Sequence, residues 1–294
     1  FHLVHTPLQV PKSYLNQFNF IDNEMRQHYA AMTKYMDDSV GKILSAIKEK
    51  NIYENTLIVF FADNGGAIYN PAGGNNYPMK GGKMSDWQGG IRGSAFVSGG
   101  YIPISKRGTL SKDLIHISDW YRTFSSIAGV DPTDHKSGPN LPSVDGLDLT
   151  NIIFSNSSIR SNDRELHISE STLIKQFGIG TYKLITGVQA MSGWTGPQYP
   201  NNTGPMPTYI PLSWNHDCKT GELYDIMNDP TEHHNIALSQ PSILKEMQQR
   251  LDELNRNNYM PLRGHPDPKA CVQAKKVGGY YGPWLDLPRN TDKI

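Results

Sequence analysis

The segment from Thr56 to Arg92 constrains this chain more than any other part of the sequence. Its first residues, Leu57 to Phe61, are aliphatic, β-branched and aromatic, and such a short apolar run predicts a buried β-strand. The run stops at Asp63-Asn64-Gly65-Gly66, so a carboxylate and an amide oxygen follow the carboxyl end of the strand. Open α/β sheets bind their ligands at that end of their strands. We therefore predict an α/β fold with a site directly after this strand.

Asp63 and Asn64 offer oxygen ligands, which suit Ca²⁺ or Mg²⁺ and suit zinc poorly. Consecutive residues of a regular strand point to opposite faces, so both side chains can bind one ion only if the strand breaks there. Gly65 and Gly66 permit such a break. Asp-Asn-Gly-Gly is also an ordinary turn sequence, so a turn without any ligand stays open as the alternative.

Lys83 lies further along the same segment, in the glycine-framed loop Gly-Gly-Lys-Met-Ser-Asp-Trp-Gln-Gly-Gly. A divalent cation and a lysine together can hold a sulfate or phosphate group. Lys83 is therefore the candidate anion-binding residue, and Lys80 is a nearby competitor. For either residue the alternative is a solvated surface lysine.

Composition excludes some classes of partner. Lysine plus arginine equals aspartate plus glutamate, at 28 each, so no net field favours nucleic acid or an anionic membrane. No apolar run is long enough for a transmembrane segment. Cys218 and Cys271 are too few for a disulfide scaffold, and their pairing stays open. The glycosylation sequons at Asn156 and Asn201 are compatible with a secretory or lysosomal route.

The remaining pattern alternates helices and strands, which is typical of α/β proteins. Asp22 or Asn23 is available to cap the first long helix. A second unit begins near Arg160. The predicted strands are Phe1 to Val4, Leu57 to Phe61, Ser94 to Val97, Tyr182 to Gly187 and Glu222 to Ile226; the predicted helices are Glu24 to Lys50, Leu114 to Ala128 and Ser242 to Asn255; and Gly129 to Ser143 is a loop.

Several segments, in order along nearly the whole chain, resemble the C-terminal half of a type I sulfatase of the arylsulfatase B group, which acts on sulfated N-acetylgalactosamine. The matching segments are VHTPLQVP, FADNGG, GGNNYPMKGGKMSDWQGGIRG, LIHISDW, DGLDL, ELYDIMNDPTEHHNI and GYYGPWLD. The resemblance implies part of an alkaline-phosphatase-like α/β sandwich over residues 1–160. It also implies a small C-terminal α+β subdomain over residues 161–294, with an antiparallel sheet and one packed helix.

The resemblance also assigns roles to individual residues. Asp63 and Asn64 are expected to bind one Ca²⁺, whose other ligands lie upstream of this sequence. Lys83 is expected to donate to the sulfate oxygens. His5 is expected to contact the sulfate and help protonate the departing oxygen, although a histidine at a strand end is more often structural.

The chain contains neither the Cys-x-Pro-Ser-Arg nor the Ser-x-Pro-Ser-Arg signature, whose first residue becomes the formylglycine nucleophile of the family. The first two metal-binding aspartates of the family are also absent, and the chain opens on Phe1 without methionine. We therefore expect a fragment of a longer protein, with the formylglycine upstream and no turnover by residues 1–294 alone.

The function implied by the resemblance is hydrolysis of an aryl sulfate or of sulfated N-acetylgalactosamine in glycosaminoglycans, by a lysosomal or secreted arylsulfatase-type enzyme. One alternative is a catalytically inactive sulfatase-like protein that binds sulfated glycans. The other is a phosphoryl-transfer relative, which the Asp-Asn pair disfavours because two-metal phosphatases usually add histidines. Gln88 replaces a common family glutamate, so the sequence does not identify what holds the lysine loop.

Other polar and aromatic residues receive a structural interpretation. His116, Asp119, Asp145 and Asp148 are expected to fix a helix and a loop, and the pair His233-His234 a turn before a helix. Some aromatic residues could line a sugar cleft, but core packing is the prediction for each. These residues are Trp87, Trp194, Tyr199 and Trp214.

Overall fold

The computed structural model describes residues 1–135, 144–155, 164–178, 180–258 and 267–284. It divides into two compact units, Phe1–Asn255 and Arg256–Ile294. The helices are α1 Lys12–Leu15, α2 Glu24–Glu49, α3 Gln88–Ile91, α4 Asp119–Ile127, α5 Thr150–Phe154, α6 Pro241–Arg256 and α7 Pro268–Lys276. The strands are β1 Ile58–Phe61, β2 Ala95–Ser98, β3 Glu165–Ser169, β4 Thr172–Phe177, β5 Gly180–Ile185, β6 Val188–Gln189, β7 His216–Asp217 and β8 Glu222–Asp225.

The long helix α2 confirms the prediction from helical periodicity. Asn23 is its N-cap, because the Asn23 side chain accepts a hydrogen bond of 3.0 Å from the backbone N–H of Arg26. Ala31 and Met32 are the buried residues of this helix. No helix in the described residues is long and apolar enough to cross a membrane.

Strands β1 and β2 pair antiparallel and form a two-stranded sheet. Both strands were predicted, but the prediction that β1 is buried is wrong, since its residues are half-buried and Phe61 is 41% exposed. Val59 packs against a cluster that includes Trp120 and Ile152, so one face of the sheet is covered. Among the described residues β2 is the only strand that pairs with β1, which explains the exposure.

The other main sheet has four antiparallel strands in the order β3-β4-β5-β8. Helix α6 packs on it through Met247 and Leu251, which join a buried cluster with Leu173, Leu184 and Leu223. The sequence-based strands at Tyr182 to Gly187 and Glu222 to Ile226, and the helix Ser242 to Asn255, are confirmed within one or two residues. These residues form an antiparallel sheet with one packed helix. The division of the chain into residues 1–160 and 161–294, implied by the resemblance, stays a prediction.

The predicted strand Phe1 to Val4 is wrong. The backbone turns there, and the N–H of His5 donates to the carbonyl of His2 over 3.0 Å. A segment of four residues forms a strand only beside a partner strand, and the described residues pair none with this segment.

The predicted helix Leu114 to Ala128 begins five residues late, at Asp119. The Asp119 carboxylate accepts a hydrogen bond of 2.7 Å from the backbone N–H of His116, which holds the preceding turn outside the helix. Residues 136–143 of the predicted loop, the Asn156 sequon and the proposed boundary near Arg160 lie outside the described residues.

Candidate functional site

The Asp63-Asn64 pair lies where β1 ends. The strand stops at Phe61 and the backbone bends at residues 63 and 64, so the predicted break in the strand is confirmed. Asp63 is exposed and Asn64 is half-buried. Neither side chain makes a hydrogen bond or an ion pair with another described residue. Two hard oxygen donors are therefore available to a ligand.

Backbone hydrogen bonds join this bend to the loop that carries Lys83. The N–H of Gly65 donates to the carbonyl of Gly90 over 2.8 Å, and the N–H of Lys83 donates to the carbonyl of Gly66 over 3.1 Å. The Asn76 amide pairs with Gly66 at both backbone groups, at 2.9 and 2.8 Å. The structure thus brings the segments of Asp63, Asn64 and Lys83 together in one place.

Position 65 requires glycine because the backbone of Gly89 passes very close to it. A Cβ atom on Gly65 would lie 1.7 Å from the carbonyl oxygen of Gly89, and its φ is not in the left-handed region. The glycine pair was predicted to permit the break in the strand. At Gly65 it also permits direct contact with the lysine loop.

Replacing Gly65 by alanine should destabilise the chain by about 1–3 kcal/mol, because the backbone must move to admit the methyl group. Gly41→Ala is a matched control, since Gly41 lies inside α2 with nothing within 4 Å of its Cβ position. That change should stabilise by about 0.5–1 kcal/mol through helix propensity. Urea unfolding followed by circular dichroism measures both. Equal stability of the Gly65→Ala variant and the parent chain would contradict this account of the contact.

Of the two candidate lysines, Lys83 is the accessible one. Its side chain is half-buried and makes no hydrogen bond or ion pair with any described residue. Lys80 is only 5% exposed, and its Nζ lies 3.5 Å from the Trp87 ring centroid and 4.7 Å from that of Trp194. Burial lowers the pKa of Lys80, against the opposing effect of nearby carboxylates. The structure therefore favours Lys83 over Lys80 as the residue that meets an anion.

Met84, directly after Lys83, has a φ of +77° and is 68% exposed. A residue other than glycine rarely adopts this conformation, which costs of order 1–3 kcal/mol and persists only when the surroundings impose it. Such strain clusters at ligand sites. Sequence reasoning had no signal for it, because methionine has no preference for the left-handed region.

Asp86 attaches the lysine loop to the four-stranded sheet. Its Oδ2 accepts hydrogen bonds from three hydroxyls, those of Ser169 at 2.5 Å, Ser171 at 2.9 Å and Thr172 at 2.8 Å. The indole N–H of Trp87 donates to Ser192 Oγ over 2.8 Å. The loop is therefore held by side chains whose partners lie far along the chain.

Glu232 provides the carboxylate that the sequence did not identify. The backbone N–H of Gln88 donates to Glu232 Oε2 over 2.7 Å, and Lys183 Nζ donates to Glu232 Oε1 over 2.6 Å. The side chains of Lys183 and Glu232 are fully buried. Burial lowers the pKa of Lys183, and the adjacent Glu232 carboxylate acts in the opposite direction. A buried ion pair therefore holds the end of the lysine loop at Gln88.

His5 stands apart from these contacts. Its Nδ1 lies 2.7 Å from the carbonyl oxygen of Thr6, and its ring lies 5.3 Å from that of His2. No hydrogen bond between described residues joins His5 to the Asp63-Asn64 bend or to the lysine loop. Its assignment to the site stays a prediction.

Two of the other polar candidates, Asp119 and His233, make structural contacts, as predicted. Asp119 is fully buried, and its carboxylate accepts from Arg164 Nη2 at 2.5 Å and from the N–H of Leu147 at 2.7 Å. His233 stacks on Trp194 with ring centroids 4.3 Å apart, in the segment between β8 and α6.

The aromatic candidates divide into two groups. Trp87 is fully buried, which confirms core packing for that residue, and Trp194 is half-buried. Core packing is wrong for Tyr199 and Trp214, which are 82% and 52% exposed. They follow glycine- and proline-rich sequence without secondary structure, where no helix or sheet face buries them.

Comparison with known proteins finds similarity to sulfatases, in agreement with the resemblance seen in the sequence. The family model described as Sulfatase matches residues 1–130. Mouse arylsulfatase J is 32% identical over 97% of this chain and 48% of its own length. Rat N-acetylgalactosamine-6-sulfatase is 26% identical over 92% of this chain and 49% of its own length. The chain thus spans about half the length of these curated relatives.

Among solved structures, the crystal structure of Ps i-CgsB superposes with a TM-score of 0.66 at 24% identity. The similarity covers 94% of this chain and 53% of that one. At this level of identity the match establishes a shared fold.

Proposed function

Because the chain belongs to the sulfatase family and has its alkaline-phosphatase-like α/β fold, we propose that it forms part of the active site of a sulfate ester hydrolase. The observation that carries this proposal is the direct backbone contact between the Asp63-Asn64 bend and the Lys83 loop. This contact places two hard oxygen donors and an uncommitted lysine on neighbouring segments. An arrangement of this kind suits a tetrahedral dianion or monoanion.

The residues at the bend fit a Ca²⁺ ion. Asp63 supplies a carboxylate and Asn64 an amide oxygen, and neither is used by another described residue. Ca²⁺ takes six to eight oxygen ligands, so further ligands must come from elsewhere in the protein. When bound, the ion would supply positive charge that polarises the sulfate group.

Lys83 would bind the sulfate oxygens and stabilise the negative charge that develops as the ester bond breaks. Two features on the C-terminal side of Lys83 support this role. Met84 has a strained backbone, and the hydrogen bond to Glu232 fixes Gln88, so the lysine loop has little conformational freedom. His5 would donate a proton to the departing oxygen, a task for which imidazole is suited near neutral pH. The nucleophile, a formylglycine by resemblance, would be supplied by sequence that precedes Phe1 in a longer protein.

The substrate class we propose is a sulfated sugar. One relative is named for N-acetylgalactosamine 6-sulfate and another is an arylsulfatase. A sulfated N-acetylgalactosamine unit of a glycosaminoglycan and an aryl sulfate are therefore the substrates to assay first. Glycosaminoglycans are degraded in lysosomes and outside cells, and we propose one of these locations for the enzyme.

Asn201 is the sequon asparagine that lies within the described residues. Its side chain is half-buried and accepts a hydrogen bond of 2.7 Å from the N–H of Asp22.

The test uses residues 1–294 and the longer protein in parallel, each assayed with an aryl sulfate and with 4- and 6-sulfated N-acetylgalactosamine. Residues 1–294 alone should show no turnover, since the sequence lacks the nucleophile signature. The longer protein should hydrolyse at least one substrate, lose activity with a chelator, and regain it with Ca²⁺.

Two outcomes would replace the proposal. Binding of the sulfated sugar without any hydrolysis by the longer protein would identify a non-catalytic glycan-binding relative. Rescue by Zn²⁺ together with a preference for phosphate esters would identify a phosphoryl-transfer enzyme. Turnover by residues 1–294 alone would refute the assignment of the nucleophile to upstream sequence.

A further inference from the structure

The turn between β7 and β8 brings together three side chains that commonly bind metals, outside the site described above. His216 lies in β7, Cys218 follows it, and Glu222 begins β8. One ligand atom from each residue lies within 4.8 Å of the other two. His216 Nε2 and Glu222 Oε1 are 2.7 Å apart. Within the described ranges, this is the one group of three or more histidine, cysteine or acidic residues with such geometry.

The backbone fixes these residues before any ligand arrives. The N–H of Cys218 donates to the carbonyl of Gly187 over 2.7 Å, and the N–H of Gly221 donates to the carbonyl of Cys218 over 2.8 Å. Gly221 has a φ of +86°, which glycine adopts without strain, and Glu222 is paired with Ile185 in the four-stranded sheet. The three side chains therefore lie on strand ends and on a hydrogen-bonded turn, which preorganises them for metal binding.

We propose that His216, Cys218 and Glu222 bind one divalent transition-metal ion of the Zn²⁺ class. A nitrogen, a sulfur and an oxygen donor form a set that suits zinc and does not suit Ca²⁺ or Mg²⁺. A thiolate and a carboxylate together balance the charge of the ion. Three protein ligands leave a fourth position for water, and His216, whose side chain is 45% exposed, gives access from solvent.

Two neighbouring side chains affect this site: Tyr224 orients the Glu222 carboxylate, and the positive charge of Lys80 weakens cation binding. The Tyr224 hydroxyl donates to Glu222 Oε2 over 2.6 Å, which leaves Oε1 directed at His216. Lys80 interacts electrostatically with both Cys218 and Glu222, and its positive charge disfavours a cation. Burial raises the pKa of the Cys218 thiol to about 12, so binding must displace the thiol proton to solvent as the metal–sulfur bond forms. The hydrogen bond between His216 Nε2 and Glu222 Oε1 must also break, and its proton must leave before both atoms bind the ion.

The test is a metal titration of residues 1–294 carrying Cys271→Ser, which removes the exposed second thiol and leaves Cys218 as the only cysteine. Zn²⁺ is added in competition with a chromophoric chelator, and Co²⁺ is added in a separate absorption experiment. We expect one ion per chain and a near-ultraviolet charge-transfer band that reports thiolate ligation of Co²⁺. Zn²⁺ should also raise the melting temperature, because it binds the folded chain.

Variants locate the site. His216→Gln and Cys218→Ala should each weaken Zn²⁺ binding by more than about 100-fold, and Tyr224→Phe by about 10- to 100-fold. His234→Gln is the control, since His234 is exposed and lies elsewhere. Asp63→Asn separates this site from the Ca²⁺ site, and should leave Zn²⁺ binding unchanged.

The Co²⁺ measurement does not depend on whether the Cys218 variant folds. Failure to bind one ion per chain, or Co²⁺ binding without a thiolate band, would overturn the proposal. Undiminished Zn²⁺ binding by a folded Cys218→Ala variant would overturn it as well. None of these outcomes bears on sulfate ester hydrolysis, so the two proposals are tested separately.

Discussion

Glu232→Ala is expected to lower the free energy of unfolding of residues 1–294 by about 3–5 kcal/mol, as is typical when one partner of a buried ion pair is removed. The change leaves the ammonium of Lys183 buried without its hydrogen-bonded carboxylate. It also leaves the backbone N–H of Gln88 without its acceptor. Chemical unfolding measured by tryptophan fluorescence gives the difference.

Two further variants interpret that result. Glu246→Ala removes a surface partner of Lys175 at 3.0 Å and should cost no more than about 1 kcal/mol. The double variant Lys183→Met/Glu232→Gln removes both charges and keeps an oxygen acceptor for Gln88, so it should recover much of the loss. A Glu232→Ala cost no larger than that of Glu246→Ala would show that the buried pair does not hold the loop.

Lys83→Ala, made in the longer protein, is expected to lower kcat/KM for a sulfate ester by about 10²- to 10³-fold, the usual effect of losing one donor to a developing anion. The stability of the protein should change little, because the Lys83 side chain has no hydrogen bond or ion pair with a described residue. Steady-state kinetics and thermal unfolding on the same preparations separate the two effects.

Lys112→Ala is the control, since Lys112 is exposed and lies outside the Asp63-Asn64 bend and the lysine loop. Lys83→Arg tests geometry, because the planar guanidinium keeps the charge but presents its donors differently. Partial activity of Lys83→Arg together with the loss in Lys83→Ala would support a direct role. Unchanged kcat/KM in Lys83→Ala would remove Lys83 from the site, and Lys80 would have to be reconsidered.

Local patterns predicted helices α2, α4 and α6 and strands β1, β2, β5 and β8, but not the other helices and strands, which include β3 and β4 of the main sheet. Helices α2 and α6 follow from apolar spacing and capping residues, which act over one or two turns. The strand predicted at Phe1 to Val4 failed because strands depend on a partner elsewhere. The predicted helix start at Leu114 was wrong because the Asp119 side chain accepts a hydrogen bond from the N–H of His116, outside the helix.

The candidate site also contains residues that local patterns could identify and one that they could not. Asp63, Asn64 and Lys83 lie in short motifs, so the sequence could nominate them. Glu232 could not be nominated, since its hydrogen bond to Gln88 joins residues 144 positions apart. A single sequence contains no signal for a contact between residues so far apart along the chain.

The β1–β2 pair has a practical meaning for anyone who purifies residues 1–294. Each of the two strands forms backbone hydrogen bonds to the other along one edge. In the described structure the opposite edge of each strand has no strand partner. Phe61, Phe96 and Val97 present apolar surface beside them. Open strand edges next to exposed apolar side chains are templates for intermolecular pairing. Self-association should therefore rise with protein concentration, and the stability and metal-binding measurements above belong at the most dilute concentrations that the detection allows.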